Sequence, residues 1–522
     1  MRSVTADLLG HALERAEALR ATYRAAGVWS PHPLDVVRIA ARRHPSKTAV
    51  VDRRYTLTYA ELDRRVDRAS KVLRAAGVTA QTPLLLVVGN DIESVVSVHA
   101  AIRADAVVLL VSRSAGPTEV GDIARRTGTR LGVAPNWAQA AGCDLGAGFH
   151  WIDLLARVDA PRSTPQRPAD DPSFVLFTSG TTSRPKGVIH SLSTLAKASF
   201  NYIDAAGLGT HDRLFLISPL ASVTGVVQAV FVAPMLTAPV ILEDRWDPAA
   251  TYELLVSTGS TWYGGPDRLL DRLLDHAAAD GREIPLRAVY LGGTMLDRRV
   301  VQRIEDDFGI IVMRAYGSSE APVSTSGRRS ESRELRHADD GRPLTDVEVK
   351  IGSTSQPTEC CIRGPHVFLG YTDAHDDEGA FNGNWYCTGD AGELTDGRLR
   401  IVGRLRDIVI RNGLKVAIAE VEDAIARIPG VRECAAYSVP DATTGERLAA
   451  AVVMESGVEL SLSAVAESLI AAGLPKYKLP EELVFWDQPL PVNANGKVDR
   501  NTLDARSQGR PREIAARLSR TG

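Results

Sequence analysis

Short apolar runs alternating with amphipathic stretches constrain this chain most. Leu84–Val88 is a compact apolar run, Ile92–Arg103 follows with helical spacing, and Ala106–Val111 is apolar again. Leu214–Ile217, Val240–Leu242 and Ala288–Leu291 repeat the pattern across longer, partly helical stretches. Such alternation of strands and helices argues for α/β layers with mostly parallel strands. At 522 residues the chain exceeds one ordinary core, and length suggests about three folding units. The texture changes after about Gly403. Val416–Ile428 reads as a helix stopped by Pro429-Gly430, Cys434–Val439 and Ala449–Met454 as strands, and Leu462–Ala472 as a helix. The expected fold is therefore α/β: a large N-terminal domain of layered α/β subdomains (1–404) and a small, mobile α+β C-terminal domain (405–522). Asp159–Pro172 reads as an exposed connection and Arg328–Gly341 as a charged, solvated loop.

Composition removes several function classes. Hydrophobic content of 44% and charged content of 24% are ordinary for a soluble globular protein. A net charge of -3 gives no electrostatic case for nucleic acid or an anionic membrane. No run approaches the ~20 apolar residues of a membrane span, and Met1–Gly27 has no apolar core suited to a signal peptide. The five cysteines have no metal-ligand spacing: Cys360 and Cys361 are adjacent, and Cys143, Cys387 and Cys434 stand alone. Reduced thiols in a cytoplasmic protein fit that set.

The apolar strand Ser173–Phe177 runs into Thr178-Ser179-Gly180-Thr181-Thr182-Ser183-Arg184-Pro185-Lys186-Gly187. Hydroxyls, free backbone N–H groups, a lysine and close-approach glycines suit phosphate oxygens. A generic loop of this composition is more often a flexible polar turn. It is not a Walker loop, because Lys186 precedes glycine instead of following it. No G-x-S-x-G elbow is present, which disfavours a Ser-His-Asp hydrolase.

The string resembles the phosphate loop of the adenylate-forming superfamily, which includes acyl- and aryl-CoA synthetases, adenylation domains and firefly luciferase. Ser183 replaces a usual glycine and Phe177 a frequent tyrosine. Further resemblances follow in the family's order from about Pro33 to Arg500, beginning with Leu57–Leu62 as an early strand-turn-helix. Leu291-Gly292-Gly293-Thr294 resembles the glycine pair before the adenine site. Ala315-Tyr316-Gly317-Ser318-Ser319-Glu320 resembles Y-G-x-T-E, which implies adenine stacking by Tyr316 and Mg2+ held by Glu320. Trp385–Asp390 resembles W-x-x-T-G-D, implying that Asp390 holds the ribose hydroxyls. Gly403–Asp407 resembles G-R-x-x-D, with Arg404 on ribose or phosphate and Arg406 at the interdomain hinge near 405–406. Pro491–Arg500 resembles the C-terminal motif whose lysine, here Lys497, is catalytic.

The resemblance implies ATP and Mg2+, with Lys497, Glu320 and Thr181 as catalytic residues. The nucleotide site would comprise Thr178, Ser179, Gly180, Thr181, Thr182, Lys186, Gly293, Thr294, Ala315–Glu320, Asp390, Arg404 and Lys497. A carboxylate would attack the α-phosphate, and the acyl group would then pass to a thiol. CoA is the expected acceptor, and a carrier-protein phosphopantetheine the alternative. Intact Lys497, Glu320, Asp390 and Arg404 argue against a non-catalytic nucleotide-binding protein. The thiol would pass Gly413 and Lys415, within the second-face segment Ile410–Ala417.

The acid pocket is expected from Ser218–Val227, above all Ser222, Val223, Gly225 and Val226, with Gly292–Met295 and Tyr316–Pro322. Val223 cannot hydrogen-bond an ortho hydroxyl, which disfavours salicylate-like acids. No fixed charge is evident to pair an amino-acid ammonium, for which Asp267 is the nearest candidate. Ile241–Pro248 and Gly27-Val28-Trp29 resemble medium-chain, alicyclic or aryl acyl-CoA synthetases. The expected substrate is an apolar, fairly bulky small-molecule acid.

Overall fold

A computed structural model describes residues 4–80, 82–134, 145, 148–159, 164–178, 184–292, 298–405, 408–411, 414–441, 444–492 and 498–515. The chain forms two compact units. The first takes in Met1–Val349, Ile362–Tyr386 and Asp396–Leu399, and the second Lys350–Cys361, Cys387–Thr395 and Arg400–Gly522.

The first unit contains two sheets of the expected α/β kind. In the seven-stranded sheet, Pro83–Val88 lies between Val107–Ser112 and Leu131–Val133, parallel to both. All six residues of Pro83–Val88 are buried, which explains the absence of alternation in its sequence. Pro172–Thr178 continues the sheet in parallel, and Lys186–Ser191 turns back antiparallel. The nine-stranded sheet has a parallel centre made by Ile311–Tyr316, Ala288–Gly292, Trp262–Gly264, Leu214–Leu216, Val240–Leu242 and Thr48–Val51.

Helix starts are written in the sequence. Thr58 and Glu61 close a capping box on Tyr59–Ala75, and Asp91 caps Ile92–Arg103 by accepting from the Ser94 N–H. Phe215, Ile241, Leu270, Leu273, Val289, Ile304 and Val312 share one core. Leu9, Ala12, Ala16 and Trp29 pack on Leu85, Val87 and Leu109 in another.

A buried ionic knot joins three helices of this unit. Arg103 is fully buried. Its Nε donates to Asp35 at 2.7 Å and its Nη2 to Asp63 at 2.6 Å. Arg38 adds a bond to Asp67 at 2.7 Å.

Two expected loops are more ordered than their composition suggests. Within Arg328–Gly341, residues Arg333–Ala338 form a helix. Buried Arg336 lies 2.9 Å from Glu305, and Arg398 binds Asp339 at 2.7 Å and Glu331 at 2.8 Å. The charges that read as solvated are consumed by ion pairs to distant segments. The end of Asp159–Pro172 is likewise anchored: Asp170 is fully buried and receives Arg24 at 2.6 and 2.9 Å.

The second unit has the expected α+β character. Gly445–Met454 is flanked by Val431–Asp441, antiparallel, and by Glu482–Trp486, parallel. Helices Ile418–Ile425 and Leu462–Ala471 cover the sheet through Val421, Ile425, Val465 and Leu469. The first helix starts later than its sequence suggests, because Val416 belongs to the strand Leu414–Ala417. No helix among the described residues is long and apolar enough to cross a membrane.

Candidate functional site

The register of one hairpin frames the loop. Phe177 pairs with Gly187 and Thr178 with Lys186. Ser179, Gly180, Thr181, Thr182 and Ser183 lie outside the described residues. Gly187 is required by packing: a Cβ there would stand 2.6 Å from Thr372 Oγ1 and 2.7 Å from its methyl. Arg184 and Lys186 bring two cations to the base of the loop. Arg184 contacts Asp373 at 2.7 Å and Asp376 at 3.4 Å. Lys186 Nζ lies 3.3 Å from Asp376 and 4.9 Å from the centre of the Tyr371 ring. These part-exposed pairs are weak, and incoming phosphate oxygens can compete for both cations.

Ile311–Tyr316 delivers the second segment. The chain turns tightly at Gly317, where a Cβ would lie 2.5 Å from the Val323 nitrogen. Ser318 Oγ accepts from the N–H groups of Glu320 and Ala321, both at 3.2 Å. Ser319 O receives a bond from His190 Nε2 at 2.8 Å. A carbonyl only accepts, so Nε2 carries the proton and Nδ1 accepts from Thr194 Oγ1 at 3.0 Å. Burial lowers the His190 pKa to about 4, so the ring is neutral at pH 7. Phe368 N donates to Glu320 O at 2.7 Å. Ala315, Tyr316, Gly317, Ser318, Ser319 and Glu320 are all half-buried.

Tyr371 joins these two segments, and the sequence gives no sign of it. Its strand Gly370–Tyr371 pairs with Lys186–Ser191. Its hydroxyl donates to Glu320 Oε1 at 2.9 Å. Burial, then the Glu320 charge, push the phenol pKa well up, so it remains a donor. Lys186, Tyr371 and Glu320 thus form one cluster. With Tyr371 fixing Oε1, the Glu320 carboxylate suits a hard divalent cation.

A second side chain absent from the sequence reading positions the expected acid-binding segment. Asn90 Nδ2 donates to Ser218 O and Glu243 O, both at 3.0 Å, and its Oδ1 accepts from Leu220 N at 2.7 Å. Ser222 Oγ then accepts from Gly225 N at 3.1 Å as a helix cap. Gly225 is pressed against backbone: a Cβ would lie 2.2 Å from Pro219 O and 2.5 Å from Leu220 Cα. Val226 begins the π-helix Val226–Val232, every residue of which is buried. Ser222, Val223 and Thr224 are half-buried. Asp267 is buried at the start of the helix Asp267–Asp280. Gly292 ends the strand Ala288–Gly292, and Gly293 and Thr294 fall outside the described residues.

In the second unit, Asp390 and Arg404 are brought together, with Oδ1 and Nε 3.4 Å apart. Asp390 N donates to Thr388 Oγ1 at 3.1 Å, and Thr388 Oγ1 donates to Cys360 O at 2.8 Å. Gly389 has φ 72°, a left-handed turn that favours glycine. Lys415 lies on the strand Leu414–Ala417. Arg406, Gly413 and Lys497 lie outside the described residues.

Residues 37–372 match the family described as AMP-binding enzyme, and residues 420–497 match the AMP-binding enzyme C-terminal domain. Triostin synthetase I of Streptomyces triostinicus is 29% identical over 520 residues, covering 92% of this chain and 96% of its own. A 7a-methyl-1,5-dioxo-octahydro-inden-4-yl propanoyl:CoA ligase of Mycobacterium tuberculosis is 31% identical over 495 residues, covering 88% and 96%. Among solved structures, ATP-bound MatB from Rhodopseudomonas palustris superposes with a TM-score of 0.81 at 25% identity, covering 90% of this chain and 99% of that one.

Proposed function

The chain belongs to the AMP-binding enzyme family, and from that premise we propose that it adenylates an apolar carboxylic acid with ATP and passes the acyl group to CoA. The Lys186–Tyr371–Glu320 cluster carries this reading, since it sets a cation and a fixed carboxylate beside the loop that resembles a phosphate holder. Likeness to the fold of ATP-bound MatB supports the nucleotide. Likeness to a ligase named for a bicyclic propanoyl group supports a bulky, apolar acid.

The first step joins two anions. Substrate carboxylate attacks the α-phosphate and pyrophosphate leaves, so repulsion and charge building at phosphorus must be offset by positioned donors. Lys497 is assigned to the carboxylate and α-phosphate, and Thr178–Gly187 to the departing pyrophosphate. Glu320 would hold Mg2+, whose chemistry when bound is to neutralise phosphate charge. Asp390 and Arg404 are assigned to the ribose side. The half-buried Ser222, Val223 and Thr224 offer an acid a surface with no ionic group.

Acid-dependent pyrophosphate release across an acid panel tests the reading, with CoA and a phosphopantetheinyl carrier protein offered as competing acceptors. Bulky apolar acids and a CoA thioester are expected. Preference for a charged amino acid refutes the acid assignment, and exclusive carrier loading refutes the acceptor.

Glu320→Gln is expected to lower pyrophosphate release by roughly 100-fold or more. Tyr371→Phe loses one hydrogen bond to a charged group and should cost about tenfold at limiting Mg2+, recovering as Mg2+ is raised. A Mg2+ titration of Tyr371→Phe that overlays the parent removes the tyrosine from this role.

A further inference from the structure

Folding brings together a donor set that cysteine spacing in the sequence does not show. Glu359, Cys361 and Cys387 present a carboxylate oxygen and two sulfurs, all within 4.8 Å of one another. Glu359 and Cys361 are two residues apart on the strand Glu359–Arg363, so they share a face. Cys387 lies on the neighbouring strand Trp385–Thr395. Glu359 and Cys361 are buried and Cys387 is half-buried.

The sulfur separation fits coordination. Cys361 Sγ and Cys387 Sγ are 3.9 Å apart. Two thiolates on a tetrahedral zinc, each at about 2.3 Å, stand about 3.8 Å apart. A disulfide needs about 2.05 Å. The carboxylate is already oriented, because Gly389 N donates to Glu359 Oε1 at 2.9 Å. Such outer partners fix metal ligands and sharpen their affinity.

Burial is the largest influence on both thiols and raises them, so a bound cation must displace their protons; Lys350 assists by favouring the ionised forms.

We propose that Glu359, Cys361 and Cys387 bind a thiophilic divalent cation, Zn2+ by its preference for two thiolates with a carboxylate. Binding releases one proton from each thiol and forms two Zn–S bonds and one Zn–O bond. The net charge of the liganded set is then -1, which Lys350 offsets. Three protein ligands leave one position for water. The ion clamps two strands beside the turn Thr388–Asp390, independently of which acid or thiol the enzyme uses.

Metal analysis of the full-length protein purified without chelator should find one zinc per chain. After stripping, Co2+ titration should give a thiolate-to-cobalt charge-transfer band with the intensity of two thiolates. Cys361→Ser and Cys387→Ser should each halve that band and weaken Co2+ binding by more than about 100-fold, beyond the usual cost of losing an outer partner. Glu359→Gln should keep the band but weaken binding. Thiol titration and circular dichroism are run on every sample, and Cys387→Ser, at the less buried position, reports if Cys361→Ser fails to fold. The proposal is overturned if reduced thiols give no band, if the band survives either serine substitution unchanged, or if the two sulfurs titrate as a disulfide.

Discussion

Lys497→Ala is expected to slow acyl-adenylate formation by roughly 10²–10³-fold, the usual cost of removing one positioned donor from developing charge. The same variant should still convert supplied acyl-AMP and thiol to thioester. The asymmetry follows from the chemistry. Joining carboxylate to the α-phosphate needs a cation between two anions, whereas thiol attack on the acyl-adenylate involves no second phosphate. The residues on either side of Lys497 are held by pairing. Val492 bridges Val498, Asp499 N donates to Pro491 O at 2.8 Å, and Arg500 grips both oxygens of Glu422 at 2.7 Å. The C-terminal family match ends at residue 497. Pyrophosphate exchange reports the first step, and thioester formation from synthetic acyl-AMP the second. Equal loss of both steps refutes a lysine that serves adenylation alone.

Arg103→Met should destabilise the protein by about 3–5 kcal/mol, the cost of stranding buried charge. The guanidinium is fully buried and serves Asp35 and Asp63 together. Burial pushes the Asp35 carboxyl up, but its bonds from Arg103 outweigh that and hold it below its ordinary value. A depressed carboxyl contributes stability that is complete above its unfolded value and is lost as pH falls through the folded one. The parent should therefore lose this contribution only in strong acid, whereas Arg103→Met lacks it at neutral pH. Thermal melts check this. A shift below about 2 °C shows that the knot contributes little, since at about 2.1 cal/mol/K per residue 1 kcal/mol moves the melt of a unit this large by roughly 1–2 °C. Adding Asp35→Asn and Asp63→Asn should recover much of the loss, because it removes the two carboxylates left uncompensated and leaves Arg38 paired with Asp67.

What the sequence made legible was local. The fully buried Pro83–Val88 reads as an unbroken apolar run, and the capping box Thr58–Glu61 announces its helix. The strings that resemble phosphate-loop, adenine and ribose motifs are contiguous, so the resemblance is visible in one dimension. What stayed hidden depends on distance along the chain. Tyr371 reaches Glu320 across 51 positions and Asn90 reaches Leu220 across 130. The charges of Arg328–Gly341 read as solvated because partners such as Glu305 and Arg398 lie outside the segment. Likewise, the pairing of Cys361 with Cys387 exists only through neighbouring strands.

Gly225 also bears on how this enzyme can be re-specified. Because a methyl group there would collide with the backbone of Pro219 and Leu220, mutation cannot narrow the proposed acid site at that point without shifting main chain held by Asn90. If the proposed acid site is correct, variation in acid preference falls to Ser222, Val223 and Thr224, whose side chains are half-buried. A saturation library at those three positions samples acid preference, whereas one centred on 225 samples mostly misfolded protein.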